Sequence, residues 1–341
     1  MLKYIRKLPE PEEIKKTLPL SQKGIAVKKK IDDEVKMVFD GRSEKFILVI
    51  GPCSADNEEA IMEYVKRLSA LQAEVKDRLI LMARIYTNKP RTTGKGYKGM
   101  LYQPDPQQKP DMCEGIKAIR HLHIRVLEEC GLPIADEMLY PGNYPYVDDV
   151  LSYVAVGARS VENQQHRLTC SGAAVPVGMK NPTGGDFSVM LNAVEAAQSS
   201  HVFAYNGFEV ETSGNAYTHC ILRGAVDYQG NNISNYDEKN IMAVIRRYEK
   251  RGLENPAIII DTNHANSGKD YHKQPSIAMH VLKLMKDNKE IGKIVKGFMI
   301  ESYLVEGRQD IAGGGFGQSI TDPCLGWEDT EKLVKEIAEN I

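Results

Sequence analysis

The chain has no cysteines at Cys-x-x-Cys spacing, no apolar run long enough to cross a bilayer, no surplus of either charge, and no internal repeat or low-complexity tract. Each absence removes a class of function. Its six cysteines (53, 113, 130, 170, 220 and 324) are scattered through 341 residues, a length that folds without covalent staples, so reduced thiols are expected. With 44 Lys+Arg against 46 Asp+Glu, no cationic excess exists to hold nucleic acid or an acidic membrane. The Lys-rich stretch Met1 to Lys30 lacks the apolar centre of a secretion signal. The expectation is a soluble cytoplasmic protein with no nucleic-acid and no membrane partner. Gly313-Gly314-Gly315-Phe316-Gly317 lacks dinucleotide spacing and a preceding strand, which argues against a nucleotide loop there.

What the chain does have is alternation. Its length suits either two ordinary domains or one large α/β barrel. Short apolar, β-branched runs recur at Ile47 to Ile50, Leu79 to Ile85, Leu132 to Ala135, Tyr153 to Ala158, Val175 to Met179, His219 to Leu222, Ala257 to Ile260 and Ile294 to Ile300. Between them lie helical patterns, such as Asn57 to Val75 behind an Asp/Asn cap and the series Ile116, Ile119, Val126, Cys130. Trp327, Leu333, Val334 and Ile337 mark a C-terminal helix. Eight strands with intervening helices predict an α/β fold, a (β/α)8 TIM barrel over residues 46–341. Residues 1–45 form a Pro-dotted, charged N-terminal extension with one short helix expected near Glu34 to Phe39. Residues 201–212 hold two strand-like runs joined at Asn206-Gly207, the signal of a β-hairpin inserted before strand six.

In such a barrel the site forms where the strands end, so the residues closing each run carry the argument. They read Cys53, Arg84, Glu137, Arg159, Lys180, Arg223, His264 and Glu301. The second loop adds Lys89-Pro90-Arg91-Thr92-Thr93 beside the Gly-rich Gly94-Lys95-Gly96-Tyr97-Lys98-Gly99. Arginine forks and lysine point charges near flexible backbone suit small phosphates and carboxylates. Six cations (Arg84, Lys89, Arg91, Arg159, Lys180, Arg223) converging on one mouth call for anionic ligands: two phosphorylated substrates, or a phosphate and a carboxylate. A simpler reading has several of them in ordinary ion pairs. Cys53, His264, Glu301 and Asp322 form a second set, thiolate, imidazole and two carboxylates, whose mixed donors suit Mn, Fe, Co or Zn better than Mg or Ca. Taken singly, Cys53 reads as an inert buried thiol and His264 as a core histidine. Tyr97, Tyr102 and Tyr140 either border the mouth or are surface residues.

These positions fall in recognisable motifs. Ile50-Gly51-Pro52-Cys53-Ser54, Lys89-Pro90-Arg91-Thr92-Thr93, Gly157-Ala158-Arg159-Ser160, Pro176-Val177-Gly178-Met179-Lys180-Asn181, Ile221-Leu222-Arg223-Gly224, Asp261-Thr262-Asn263-His264-Ala265-Asn266-Ser267, Met299-Ile300-Glu301-Ser302 and Ser319-Ile320-Thr321-Asp322-Pro323-Cys324 together resemble class I 3-deoxy-D-arabino-heptulosonate 7-phosphate (DAHP) synthases from residue 46 to the C-terminus. The resemblance implies a transferase that condenses phosphoenolpyruvate with erythrose 4-phosphate and water, giving DAHP and phosphate at the head of the shikimate route. It implies one divalent metal, Mn2+ first, with Fe2+, Co2+ or Zn2+ as alternatives, held by Cys53, His264, Glu301 and Asp322. It implies that Arg84, Lys89, Arg159, Lys180 and Arg223 grip phosphoenolpyruvate, with Glu137 and the backbone at Ala158 nearby, and that Arg91 and Thr92 receive the sugar phosphate. Lys89, Glu137, Lys180 and His264 are then the catalytic residues, with the proton handled by Glu137, Lys89 or metal-bound water.

The same resemblance implies a homodimer or homotetramer, with residues 1–45 as an oligomer contact and regulatory arm too short for a fused chorismate mutase. Cys324 lies two residues after Asp322, so Cys53 and Cys324 are expected to oxidise to a disulfide once metal is lost. Relatives inhibited by aromatic amino acids build an effector pocket from the N-terminal arm, the hairpin and the loop after strand four. Here the hairpin is shorter and Ala173 and Ala174 replace larger or hydroxylated residues, so little or no feedback inhibition is expected. Two alternatives are a sister synthase using arabinose 5-phosphate to make 3-deoxy-octulosonate 8-phosphate, and an inactive sugar-phosphate-binding barrel. The Lys89-Pro90-Arg91-Thr92 signature argues against the first, and the complete ligand set against the second.

Overall fold

A computed structural model describes all residues, 1–341. Eight parallel strands close into a barrel in sequence order: β1 (Phe46–Gly51), β2 (Leu79–Arg84), β3 (Ile134–Glu137), β4 (Tyr153–Val156), β5 (Val177–Lys180), β6 (Thr218–Leu222), β7 (Ile258–Asp261) and β8 (Val295–Glu301). Strands of a parallel barrel are covered on both faces, which is why they read as unbroken apolar runs. On the outer face Leu48, Ile50, Leu81, Val154, Leu222, Ile260 and Ile300 join the helices in one large core. On the inner face Ile47, Val49, Ile80, Met82, Ala135, Tyr153, Ala155, Ile221, Ile259 and Met299 fill the barrel. Successive strand residues alternate faces. Two positions past this filling, the inner face therefore carries Gly51, Arg84, Glu137, Gly157, Lys180, Arg223, Asp261 and Glu301.

The helices begin where caps are available. Asn57 accepts the Ala60 N–H at the start of Glu58–Val75, and Asp111 accepts from Cys113 and Glu114 at the start of Met112–Arg125. The last of them, Trp327–Asn340, buries Leu333, Val334 and Ile337 as its pattern predicts. The hairpin pairs Val202–Tyr205 with Phe208–Glu211 and turns at Asn206 (φ 48°) and Gly207 (φ 84°). Both central residues need positive φ in such a two-residue turn, which Asn-Gly supplies. The run Tyr153 to Ala158 is shorter as a strand, ending at Val156, because the Gly157 carbonyl starts a turn by accepting from Ser160 and Val161.

The N-terminal extension departs from expectation. Instead of one short helix it has two, α1 (Pro11–Thr17) and α2 (Gln22–Phe39). Ser21 caps α2 by accepting the Gly24 N–H at 3.0 Å, and Lys28 pairs with Asp32 one turn on. The lysine-rich first half of α2 hides its apolar stripe. Its last turns close the lower end of the barrel: Val35, Val38 and Phe39 belong to the inner filling, and the Phe39 ring stacks on His219 with centroids 4.3 Å apart.

Candidate active site

At the C-terminal ends of the strands opens a cavity of about 520 Å3. Its lining includes Arg84, Lys89, Arg91, Thr92, Glu137, Ala158, Arg159, Lys180, Arg223, His264 and Asp322. Cys53 and Glu301 are buried just behind this lining. The scattered strand-end residues thus meet around one space. Lys95 and Lys269 also line it, two cations that strand-end reasoning missed because both sit deep in loops. The three tyrosines do not. Tyr97 is buried and donates to the Ala55 carbonyl at 3.1 Å, and Tyr102 lies beneath Lys98.

Two of the six cations are paired. Arg84 donates to Glu301 at 2.8 Å and to the Pro52 carbonyl, and its guanidinium lies 3.8 Å over the Tyr86 ring. Lys180 donates to Asp261 at 3.0 Å. Asp261, on the inner face of β7, also stands 2.8 Å from His264 Nδ1. Burial alone would raise the Asp261 carboxyl, yet His264 and Lys180 drive it well below the usual carboxylate range. Asp261 was not a candidate from sequence, because the more distinctive His264 follows in the same motif. Its place two residues after the inward Ile259 is the signal that would have found it.

The other cations are less satisfied. Arg223 is buried, one of its terminal nitrogens has no hydrogen-bond partner, and burial lowers its pKa. Arg159 reaches across to the Pro90 carbonyl at 3.0 Å and the Thr92 hydroxyl at 3.3 Å. Arg91 donates to the Tyr97 carbonyl at 2.7 Å. Glu137 enters the cavity beside Gly157, where any Cβ would lie 2.2 Å from its carboxylate. Glycine at 157 makes the room for it.

Beneath the cationic wall, a sulfur atom and carboxylate oxygens of Cys53, Glu301 and Asp322 lie within 4.8 Å of one another. His264 adjoins them with Nε2 3.9 Å from Glu301, its backbone in the left-handed region at φ 49°. Asn263 donates to the second Glu301 oxygen at 2.6 Å, and Gln274 holds the Glu301 main chain from both sides at 2.9 Å. Burial disfavours charge on Glu301, but Arg84 and His264 hold its carboxyl below the ordinary range. Asp322 is brought to about 2, against burial, by Lys89, Lys269 and His264. Burial and the Glu301 charge raise the Cys53 thiol, while Lys89 Nζ sits 3.2 Å from its sulfur. Two ionised carboxylates crowded against a thiol and an imidazole make a donor set that fits a divalent cation of borderline softness.

The sequence and fold place the chain among known proteins. The family model for the DAHP synthetase I family matches residues 22–335. The Tyr-sensitive phospho-2-dehydro-3-deoxyheptonate aldolase of Salmonella typhimurium is 36% identical over 98% of this chain and 93% of its own length. The phenylalanine-inhibited enzyme of that name from Saccharomyces cerevisiae is 35% identical over 98% of this chain and 91% of its own. The solved phospho-2-dehydro-3-deoxyheptonate aldolase of Francisella tularensis superposes with a TM-score of 0.93 at 30% identity, covering 100% of this chain and 98% of that one. With the motifs, the closed barrel and these relatives in agreement, the chain belongs to the DAHP synthetase I family.

Proposed function

We propose that the chain condenses phosphoenolpyruvate with erythrose 4-phosphate and water, releasing DAHP and inorganic phosphate. The observation that carries this is the meeting of a cationic wall with a thiol, carboxylate and imidazole set in one cavity. Arg84, Lys89, Lys180, Arg223 and Arg159 bind the phosphate and carboxylate of phosphoenolpyruvate and fix its enol carbon, with the Ala158 backbone beside them. Arg91 and Thr92 bind the sugar phosphate. Holding both reactants in near-attack geometry removes much of the entropic barrier of a bimolecular step. Cys53, His264, Glu301 and Asp322 would hold one divalent ion, Mn2+ first, which supplies Lewis acidity toward the aldehyde oxygen. Glu137 and Lys89 are the groups placed to move a proton, and pH–rate profiles of Glu137→Gln and Lys89→Met separate them.

We place the protein in the cytoplasm as a homo-oligomer, dimer or tetramer, with residues 1–45 contributing a contact between copies. Leu2, Tyr4 and Ile5 are fully exposed, as a segment that docks on another copy would be. No helix is long and apolar enough to cross a membrane.

The test follows phosphoenolpyruvate loss and phosphate release with erythrose 4-phosphate, and separately with arabinose 5-phosphate, before and after chelation. Turnover with erythrose 4-phosphate alone, abolished by EDTA and restored by Mn2+, is expected. No turnover by Mn2+-loaded enzyme would refute the activity, and full activity after exhaustive chelation would refute the metal.

A further inference from the structure

Asp136 points the other way from the cavity, on the outer face of β3, and is buried. Its carboxylate nevertheless gathers three donors from two segments. One oxygen accepts the Thr87 N–H at 2.9 Å and the Glu137 N–H at 2.7 Å, and the other accepts the Thr87 hydroxyl. No cation neutralises it. Its one titratable contact is the buried His123, with Nε2 at 3.7 Å, and neither ring nitrogen of His123 has a hydrogen-bond partner. Arg120, on the same helix Met112–Arg125 as His123, is committed to Asp149 and to the Leu18 and Tyr146 carbonyls. Burial raises the Asp136 carboxyl to about 7 against the pull of these donors, so the hydrogen bonds from Thr87 and Glu137 are what hold it in place.

Both segments lead to the cavity. Glu137 is the next residue on β3, and Thr87 opens the loop that carries Lys89, Arg91 and Thr92. Thr87 also secures the loop's return: its carbonyl accepts the Leu101 N–H at 3.1 Å, and Lys89 N–H donates to Lys98 at 3.0 Å. One side chain outside the cavity therefore ties the base of the cationic loop to the strand bearing Glu137.

We propose that Asp136 is a positioning residue for the reaction, locking the loop of residues 87–101 so that Lys89, Arg91 and Thr92 face Glu137 across the cavity. It acts through Thr87 and touches no substrate. The inference rests on the synthase reading of the cavity, and it is separable from it.

Three variants test it: Asp136→Ala, Asp136→Asn, which keeps an acceptor for the two backbone donors, and Thr87→Val, which removes only the hydroxyl. Hydrogen–deuterium exchange over residues 85–101 reads the lock without turnover. It should quicken in Asp136→Ala and, less, in Thr87→Val, while residues 258–301 stay protected. Steady-state kinetics should show, in Asp136→Ala, the KM for erythrose 4-phosphate raised at least about tenfold and kcat per folded enzyme lowered with it, since both Arg91 and the proton-moving Lys89 ride on the loop, and most of both losses recovered in Asp136→Asn. A merely structural role would lower folded yield and leave KM alone. Unchanged exchange, or unchanged KM in both Asp136→Ala and Thr87→Val, overturns the proposal, and Thr87→Val answers if the alanine variant does not fold. A wild-type enzyme without activity would instead refute the synthase reading, with the exchange data still deciding the lock.

Discussion

Asp261→Asn is the substitution that probes the site's framework most directly. The carboxylate is fully buried and joins Lys180 at 3.0 Å to His264 Nδ1 at 2.8 Å. The amide keeps the shape and still accepts the Asn263 N–H that Asp261 receives at 3.0 Å, but it removes the only negative charge paired with a lysine that is itself 4% exposed. Breaking one partner of a buried ion pair costs about 3–5 kcal/mol, because the remaining charge is stranded in low dielectric. For a chain of 341 residues that is a fall of roughly 4–7 °C in melting temperature. Loss of the contact that orients His264 should also weaken divalent-metal binding by about 10–100-fold. Differential scanning fluorimetry reads the first and Mn2+ titration the second. An Asp261→Asn protein melting within about 1 °C of the parent, with unchanged Mn2+ affinity, would show that Lys180 and His264 do not depend on this carboxylate.

Phe39→Ala should cost about 3–5 kcal/mol by opening the barrel floor against His219 and Tyr153, read as a lower denaturation midpoint. A loss under about 1 kcal/mol would mean that α2 is a detachable cover. Phe, Tyr and Trp at millimolar concentration should inhibit little or not at all: the hairpin tip is already fastened by Tyr205 to the Pro141 carbonyl at 2.7 Å and by Asn206 to Gly142 at 3.1 Å, and Ser171 meets Thr212 at 2.6 Å. Strong inhibition by any one of them would show that this region opens. Aged, metal-free enzyme should contain a Cys53–Cys324 disulfide formed with dissolved oxygen as oxidant; both thiols are buried, and burial raises both, so oxidation should be slow while the site is intact. Mass mapping that finds both thiols free after ageing would contradict it.

The barrel was legible in the sequence because both faces of every strand are buried, so each appears as an apolar run bounded by a polar residue at the mouth. The cavity residues were legible for the same reason, since Arg84, Lys180, Arg223 and Glu301 are the points where an inward-facing apolar series turns charged. Asp261 escaped although it too closes an apolar run, because the more conspicuous His264 follows three residues later in the same motif. Asp136 escaped for the opposite reason: its parity faces the helices, and only the fold reveals that Thr87 lies against it. The length of α2 was hidden by lysines whose aliphatic stems leave no apolar signature. Pairing between distant side chains has no local pattern to read.

The balance of charge in the cavity carries the last step. Eight cations line it, and two carboxylates, Glu137 and Asp322, line it with them. Asp261 and Glu301, just behind, answer Lys180 and Arg84. The pairs behind the wall hold those two cations in place and leave the wall itself positive. Lys89, Arg91, Arg159 and Arg223 have no carboxylate partner, and a buried Arg223 nitrogen has no partner at all. Lys89, Arg91 and Arg159 spend donors on carbonyls, a hydroxyl and the Cys53 sulfur, none of which offsets a positive charge, so anionic ligands bind favourably to this wall. An inert barrel would gain by replacing these residues with neutral ones. Their arrangement makes sense where two phosphorylated reactants must be drawn in together and held beside one another, each bringing negative charge to a positive wall.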